Sequence, residues 1–147
     1  LVIALVLAVA GACSGGGEES DPSPSPSPAP TERTEHLYGD ISIPASASTN
    51  EHGKWFTPCA GKGGFNDIAG GAQVVVRDAA GKTVGTTRLE EGQIKARTTF
   101  FDDCVFAFGL DVPVATDFLS VEVSHRGEVT FSIENLGSSR WVVHLTL

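Results

Sequence analysis

Leu119-Ser120-Val121-Glu122-Val123-Ser124-His125-Arg126-Gly127-Glu128-Val129-Thr130-Phe131 is the stretch that decides the fold. Leu119, Val121 and Val123 alternate with Ser120, Glu122 and Ser124, and a period of two lines one side of an extended chain with apolar groups. His125-Arg126-Gly127 breaks the pattern with a glycine at a turn position, and Val129, Phe131 and Ile133 take it up again. The segment reads as a β-hairpin.

The same alternation extends in both directions from this hairpin. Leu37, Gly39, Ile41 and Ile43 fall on one face of an early strand, and Val74 and Val76 alternate with Val75 and Arg77. Cys104, Phe106, Phe108 and Leu110 share a face, as do Trp141, Val143, Leu145 and Leu147. Asp78-Ala79-Ala80-Gly81-Lys82 places Asp at the start of a type I turn and Gly where φ must be positive. Pro113 is expected just beyond a strand end, where its missing N–H costs little. Glu134-Asn135-Leu136-Gly137 reads as a turn or one helical turn before the last strand. No segment of comparable length carries a 3.6-residue apolar period, so the expectation is all-β. The spacing predicts a small antiparallel β-sandwich, Ig-like or transthyretin-like, of about seven or eight strands, with a small β-barrel as the alternative.

Upstream of the first strand the composition changes. Leu1 to Ala12 is uncharged and apolar, too short to span a bilayer, which takes about 20 residues, and it ends in the small residues of a signal-peptide cleavage site. Its missing Met and basic start suggest a truncated leader. Ser14 to Glu35 holds no aromatic or branched apolar residue and includes Pro22-Ser23-Pro24-Ser25-Pro26-Ser27-Pro28-Ala29-Pro30. Alternating prolines favour polyproline II at about 3.1 Å per residue, a stiff spacer that packs no core. The expected organisation is a signal peptide over 1–12, Cys13 with a disordered Gly/Ser/Pro stalk over 13–35, and a β-domain over 36–147.

Charge and cysteines narrow the setting. Asp and Glu number 18 against 10 Lys and Arg, a formal net charge of −8, which disfavours nucleic acid as a partner. From residue 36 onward the balance is nine basic against thirteen acidic groups, an ordinary surface at −4. Of three cysteines, Cys13 follows the small residues of the leader. If it carries lipid, Cys59 and Cys104 form an even pair in an oxidising compartment, and a disulfide is expected over two buried thiols.

Leu7-Ala8-Val9-Ala10-Gly11-Ala12-Cys13-Ser14 resembles a lipobox, the motif in which diacylglyceryl is attached to the Cys that becomes the mature N-terminus. That resemblance implies a lipid on Cys13 and attachment to the outer face of the cell membrane. Ala10-Gly11-Ala12 also satisfies the A-x-A rule of ordinary signal peptidase, which leaves a secreted, lipid-free protein as the alternative. Cys59, Gly63-Gly64-Phe65-Asn66-Asp67-Ile68, Val74 to Asp78, Gly81 to Gly85, Cys104 to Phe108, Val112-Pro113 and Val121 to Glu128 together resemble a group of actinobacterial exported lipoproteins. That likeness implies a location and a β-fold and brings no activity. A strand, Asp-x-x-Gly-Lys turn and strand in that order is also similar to transthyretin-like and carboxypeptidase regulatory sandwiches, at the level of fold alone.

No familiar chemistry stands out among the candidate sites. Gly61-Lys62-Gly63-Gly64 lacks the Ser or Thr and the glycine spacing of a phosphate loop. His36, His52, His125 and His144 have no ligand spacing, so neither zinc nor another cofactor is expected and surface histidines are the plainer reading. Asp102-Asp103 with Asp111 and Asp117 lacks a calcium-loop pattern and reads as a solvated acidic edge. No Gly-x-Ser-x-Gly elbow occurs and no free Cys has a reason for a low pKa, so an enzyme is not expected. Trp55, Phe56, Lys62 and Phe65 surround Cys59 in a polar, Gly-rich region. They make a candidate binding rim, with Trp55 and Phe56 either anchoring a ligand or packing on the disulfide. The expected role is a binding or structural module of the cell envelope whose partner is an envelope protein or glycan, the rival being a small envelope hydrolase.

Overall fold

The computed structural model describes residues 33–52, 54–96 and 102–147. The leader, the expected lipidation site Cys13 and the stalk up to residue 32 lie outside the described residues. Nine strands run in the order β1 (Thr34–Pro44), β2 (Pro58–Cys59), β3 (Gln73–Asp78), β4 (Thr83–Arg88), β5 (Gly92–Ala96), β6 (Asp102–Pro113), β7 (Phe118–Val123), β8 (Glu128–Ser132) and β9 (Val142–Thr146). One short helix, α1 (Ile133–Ser138), precedes β9. The strands form a five-stranded sheet in the order β2-β5-β6-β1-β9 and a four-stranded sheet in the order β4-β3-β7-β8. Neither sheet closes on itself, so the architecture is a small β-sandwich and the barrel alternative falls away.

Three details depart from the sequence reading. There are nine strands among the described residues where seven or eight were expected, one of them the two-residue β2. β1 starts at Thr34, inside the segment assigned to the stalk, because Thr34 and Glu35 pair with Pro113 and Val112; Pro113 itself ends β6. The sandwich is also not wholly antiparallel, since β9 runs parallel to β1 with Tyr38 opposite Val142 and Ser42 opposite Thr146. The cause lies at Ile133, which continues the alternation of Val129 and Phe131 in sequence but begins α1. Ser132 caps that helix, its hydroxyl accepting from the Asn135 N–H at 3.1 Å, and Leu136 buries itself in the core. A helical crossover then returns the chain to the other sheet, as parallel pairing requires.

β1 and β6 form the frame, paired antiparallel from Thr34 opposite Pro113 to Pro44 opposite Asp103. Their inner faces supply Leu37, Ile41, Ile43, Cys104, Phe106, Phe108 and Val112, which pack against Val74, Val76, Leu119, Val121 and Val123 of the other sheet in one buried cluster. Two glycines make space for its aromatic rings. A Cβ on Gly39 would sit 2.2 Å from the Phe108 Cζ, and one on Gly92 would sit 2.3 Å from the Phe106 Cε1. The Asp78 turn forms as read, its Oδ1 accepting from Ala80 and Lys82 at 2.9 Å with Gly81 at φ +78°.

Cys59 and Cys104 are joined in a disulfide that ties edge strand β2 to β6 across β5. It closes a loop of 45 residues, which restricts the unfolded chain by about 4 kcal/mol in the chain-entropy account. The double variant Cys59→Ala/Cys104→Ala should retain a β-rich circular dichroism spectrum and lose roughly 3–4 kcal/mol of unfolding free energy in urea titration; a loss under about 1 kcal/mol would mean that the native packing already restrains β2 without the bond.

Candidate functional site

The alternation that builds the core also decides what the five-stranded sheet shows to water. Side chains of β1 that point outward are His36, Tyr38, Asp40 and Ser42; β6 contributes Val105, Ala107 and Gly109, and β5 contributes Gln93 and Lys95. The register sets Tyr38 beside Gly109, Asp40 beside Ala107 and Ser42 beside Val105. Ala107 and Gly109, small residues between Tyr38 and Asp40 of β1 on one side and Glu90 and Lys95 on the other, leave a trough along β6. Its Gly109 end opens into a cleft of about 410 Å³ lined by His36, Tyr38, Asp40, Lys95 and Ala107. Its Val105 end opens into a second, of about 330 Å³, lined by Asp40, Ser42, Lys95 and His144. Asp40 and Lys95 line both clefts.

Local contacts hold the walls of this trough in place. The Tyr38 N–H donates to the Trp141 carbonyl at 2.9 Å, which fixes the backbone beneath the ring. The ring lies against His36 with centroids 4.2 Å apart and planes tilted by 57°, and His36 Nδ1 sits 2.6 Å from Asp111 Oδ1. Gly109 lets the imidazole lie across β6, since a Cβ there would be 2.9 Å from His36 Nε2. On the far side of β1, His144 Nδ1 is 2.7 Å from Asp40 Oδ2. Neither imidazole is hydrogen-bonded to a hydroxyl or thiol among the described residues, so neither pair activates a nucleophile. Nor do three or more His, Cys, Asp or Glu among the described residues converge on a position that would hold a metal ion.

The outer face of the four-stranded sheet is different in kind. Arg77 Nη1 bonds Glu122 Oε2 and Glu128 Oε1, each at 2.7 Å, joining three strands, and Ser120 pairs with Thr130 at 2.9 Å. Its polar groups satisfy one another. In the trough the Tyr38 hydroxyl and the Lys95 ammonium are in no hydrogen bond or ion pair among the described residues, which leaves them for a ligand.

The candidate rim of Trp55, Phe56, Lys62 and Phe65 divides in two. Trp55 and Phe56 are 63% and 69% exposed; the indole N–H donates to Asp102 Oδ1 at 3.2 Å. Phe56 holds φ at +63°, unusual for a bulky residue, with its N–H donating to the Ile94 carbonyl at 2.8 Å. Lys62 and Phe65 are taken up by the fold. Lys62 Nζ lies 3.1 Å from Glu51 Oε2, and its hydrogen bond draws the Glu51 carboxyl below its usual range. Phe65 packs on the core under the Arg126 guanidinium, 5.0 Å from the ring centroid. The acidic edge expected at Asp102-Asp103 is also only partly so, since Asp103 is buried.

Tyr38, Asp40, Lys95, Ala107 and Gly109 were not singled out from the sequence. Their signal was the other half of the alternation, the polar positions of β1 opposite small positions of β6, and it becomes legible only when the register is known. No protein-family model, curated protein or solved structure matches the chain.

One polar contact near the rim makes a pH test. Arg126, in the β7–β8 turn, grips Asp67 with two nitrogens, Nε to Oδ2 at 2.8 Å and Nη2 to Oδ1, while Nη2 also donates to the Gly64 carbonyl. That hydrogen-bonded guanidinium holds the Asp67 carboxyl down from 3.8 to about 2. A depressed carboxylate stabilises the fold above its unfolded pKa, and the contribution is lost as pH falls through the folded value. Unfolding free energy should therefore drop between about pH 4 and pH 2. Asp67→Asn should flatten that part of the profile and cost about 1 kcal/mol at pH 7, a small figure because the carboxylate is 38% exposed and screened. An unchanged acid profile in the variant would show that the pair does not couple to folding.

Proposed function

We propose that this chain is an extracytoplasmic binding module, held at a membrane surface by lipid on Cys13, raised on its Ser/Pro stalk, and engaging its partner through the trough of the five-stranded sheet. The observation that carries the reading is the trough itself. It is a concavity on a sheet face, lined by polar side chains among which the Tyr38 hydroxyl and the Lys95 ammonium have no partner among the described residues, and such sites serve recognition. The Cys59–Cys104 disulfide supports an oxidising compartment and leaves Cys13 as the one remaining cysteine of three. Two acyl chains at about 0.8 kcal/mol per buried CH₂ anchor stably where a single chain is marginal. On this reading the chain belongs with the exported lipoproteins that its lipobox and stalk resemble.

Among the described residues no helix is long and apolar enough to cross a membrane; in this reading the lipid on Cys13 is the anchor. The test is to express the protein behind a functional export leader and fractionate the cells. The parent should sediment with membranes and partition into detergent, whereas Cys13→Ser should move almost wholly to the soluble extracytoplasmic fraction. A parent that never sediments with membranes would favour cleavage after Ala12 and secretion without lipid.

A further inference from the structure

We propose that the trough along β6 binds a straight, neutral oligosaccharide, an assignment that rests on the binding-module reading above and names its ligand class. Shape is the first argument. The two clefts meet at Asp40 and Lys95 and run along one strand, and Gly109 to Val105 alone spans about 14 Å at the rise of an extended chain. Two shallow clefts in line along a strand fit a linear polymer better than a compact metabolite, which prefers an enclosing cavity.

The means of attachment is the second argument. β1 is paired with β6 along its whole length and with β9 from Tyr38 to Ser42, while β6 is paired with β5 from Asp102 to Val105. An extended peptide that adds as a strand does so at a sheet edge, in the plane of the sheet, whereas the trough lies on the outer face, where side chains and not main-chain groups are presented. Whatever binds this face is held by side chains.

The side chains present suit a sugar. Tyr38 offers a ring 57% exposed, stiffened by its contact with His36 and by the Trp141 carbonyl beneath it. An aromatic face of this kind covers the C–H side of a pyranose while costing little conformational entropy. Beside it Asp40 accepts, Lys95 donates, and Ser42 and the Tyr38 hydroxyl do both, a set that matches neighbouring hydroxyls which are themselves donors and acceptors. Charge selects among glycans. Asp40 and Glu90 line the Gly109-end cleft beside the single ammonium of Lys95, and the chain from residue 36 onward carries −4. A polyanion such as a uronate or phosphate polymer is therefore repelled and a neutral chain is not.

The experiment is calorimetric titration of the full chain with β-1,4-linked hexamers of glucose and of N-acetylglucosamine, with a polygalacturonate oligomer as the anionic control, alongside retention on insoluble envelope material. The parent should bind at least one neutral hexamer and not the anionic one. Tyr38→Ala should weaken that binding about tenfold while Tyr38→Phe keeps most of it, as loss of one stacking contact predicts. Ala107→Trp, which fills the trough floor, should abolish binding, and Val129→Ala on the opposite sheet should leave it unchanged. Thermal melting of each variant within a few degrees of the parent would show the fold intact. Binding of neither neutral hexamer, preference for the anionic one, or equal affinity in Tyr38→Ala and Ala107→Trp overturns the assignment. If sugars fail but Ala107→Trp still releases the protein from envelope, the face is a binding site for something other than a glycan, a side-chain-read peptide foremost. If Ala107→Trp leaves envelope retention intact, the reading of this face as the binding surface fails as well.

Discussion

The antiparallel pairing of β1 with β6 runs the whole length of β1, eleven residues, and the rest of the structure depends on its register. A strand shows alternate side chains to alternate faces, so a single pairing dictates both the core and the exposed surface of the sheet. Leu37, Ile41 and Ile43 go inward with Phe106 and Phe108, and Tyr38 and Asp40 go outward with Ala107 and Gly109. A slip of β6 by one residue against β1 would send Phe106, Phe108 and Val112 into water and turn Val105 and Ala107 into the apolar layer. At about 1.5–3 kcal/mol for each large apolar side chain, such a slip would cost an amount comparable to the net stability of a domain this size.

Other features of the fold protect that register. Gly39 and Gly92 leave room for the Phe108 and Phe106 rings, so the two largest inward side chains on β6 each have one cross-strand position to occupy. The disulfide fixes Cys104 against β2 at one end of β6. At the other face of the sandwich, Arg126 clamps the loop that carries Phe65 and Asp67 onto the β7–β8 turn. These restraints explain why the outward face of the first sheet can stay open. On that face His36 and Asp40 pair across strands with Asp111 and His144, while the Tyr38 hydroxyl and the Lys95 ammonium take no part in holding the strands together.

Much of this was legible in the residues. The inward sets of β1, β3, β6 and β7, the Asp78–Lys82 turn, the disulfide pair and the sandwich class follow from alternation, turn chemistry and cysteine arithmetic, all of which act over short stretches of chain. What was hidden depends on which strands become neighbours. Ile133 continues a strand alternation yet starts a helix because Ser132 caps it, and from that crossover comes the parallel pairing of β9. His36 and His144 read as scattered surface histidines because their partners Asp111 and Asp40 are 75 and 104 residues away. Ala107 and Gly109 carry no chemical signal of their own; they matter because Tyr38 and Asp40 stand beside them. Phe65 and Lys62 showed the reverse, since their setting near Cys59 suggested a rim and the fold uses them for packing and an ion pair.

The central claim is that one strand pair presents a core on its inner face and a recognition surface on its outer face. Nuclear magnetic resonance of the full chain, titrated with soluble envelope extract, tests it most directly. The account predicts shifts at the Tyr38 ring, the Ala107 methyl and the Val105 methyls, with the Ile41, Val76 and Val129 methyls unmoved. Shifts confined to Trp55 and Phe56, or to Val129 on the β8 edge, would contradict it and move the recognition surface away from β6.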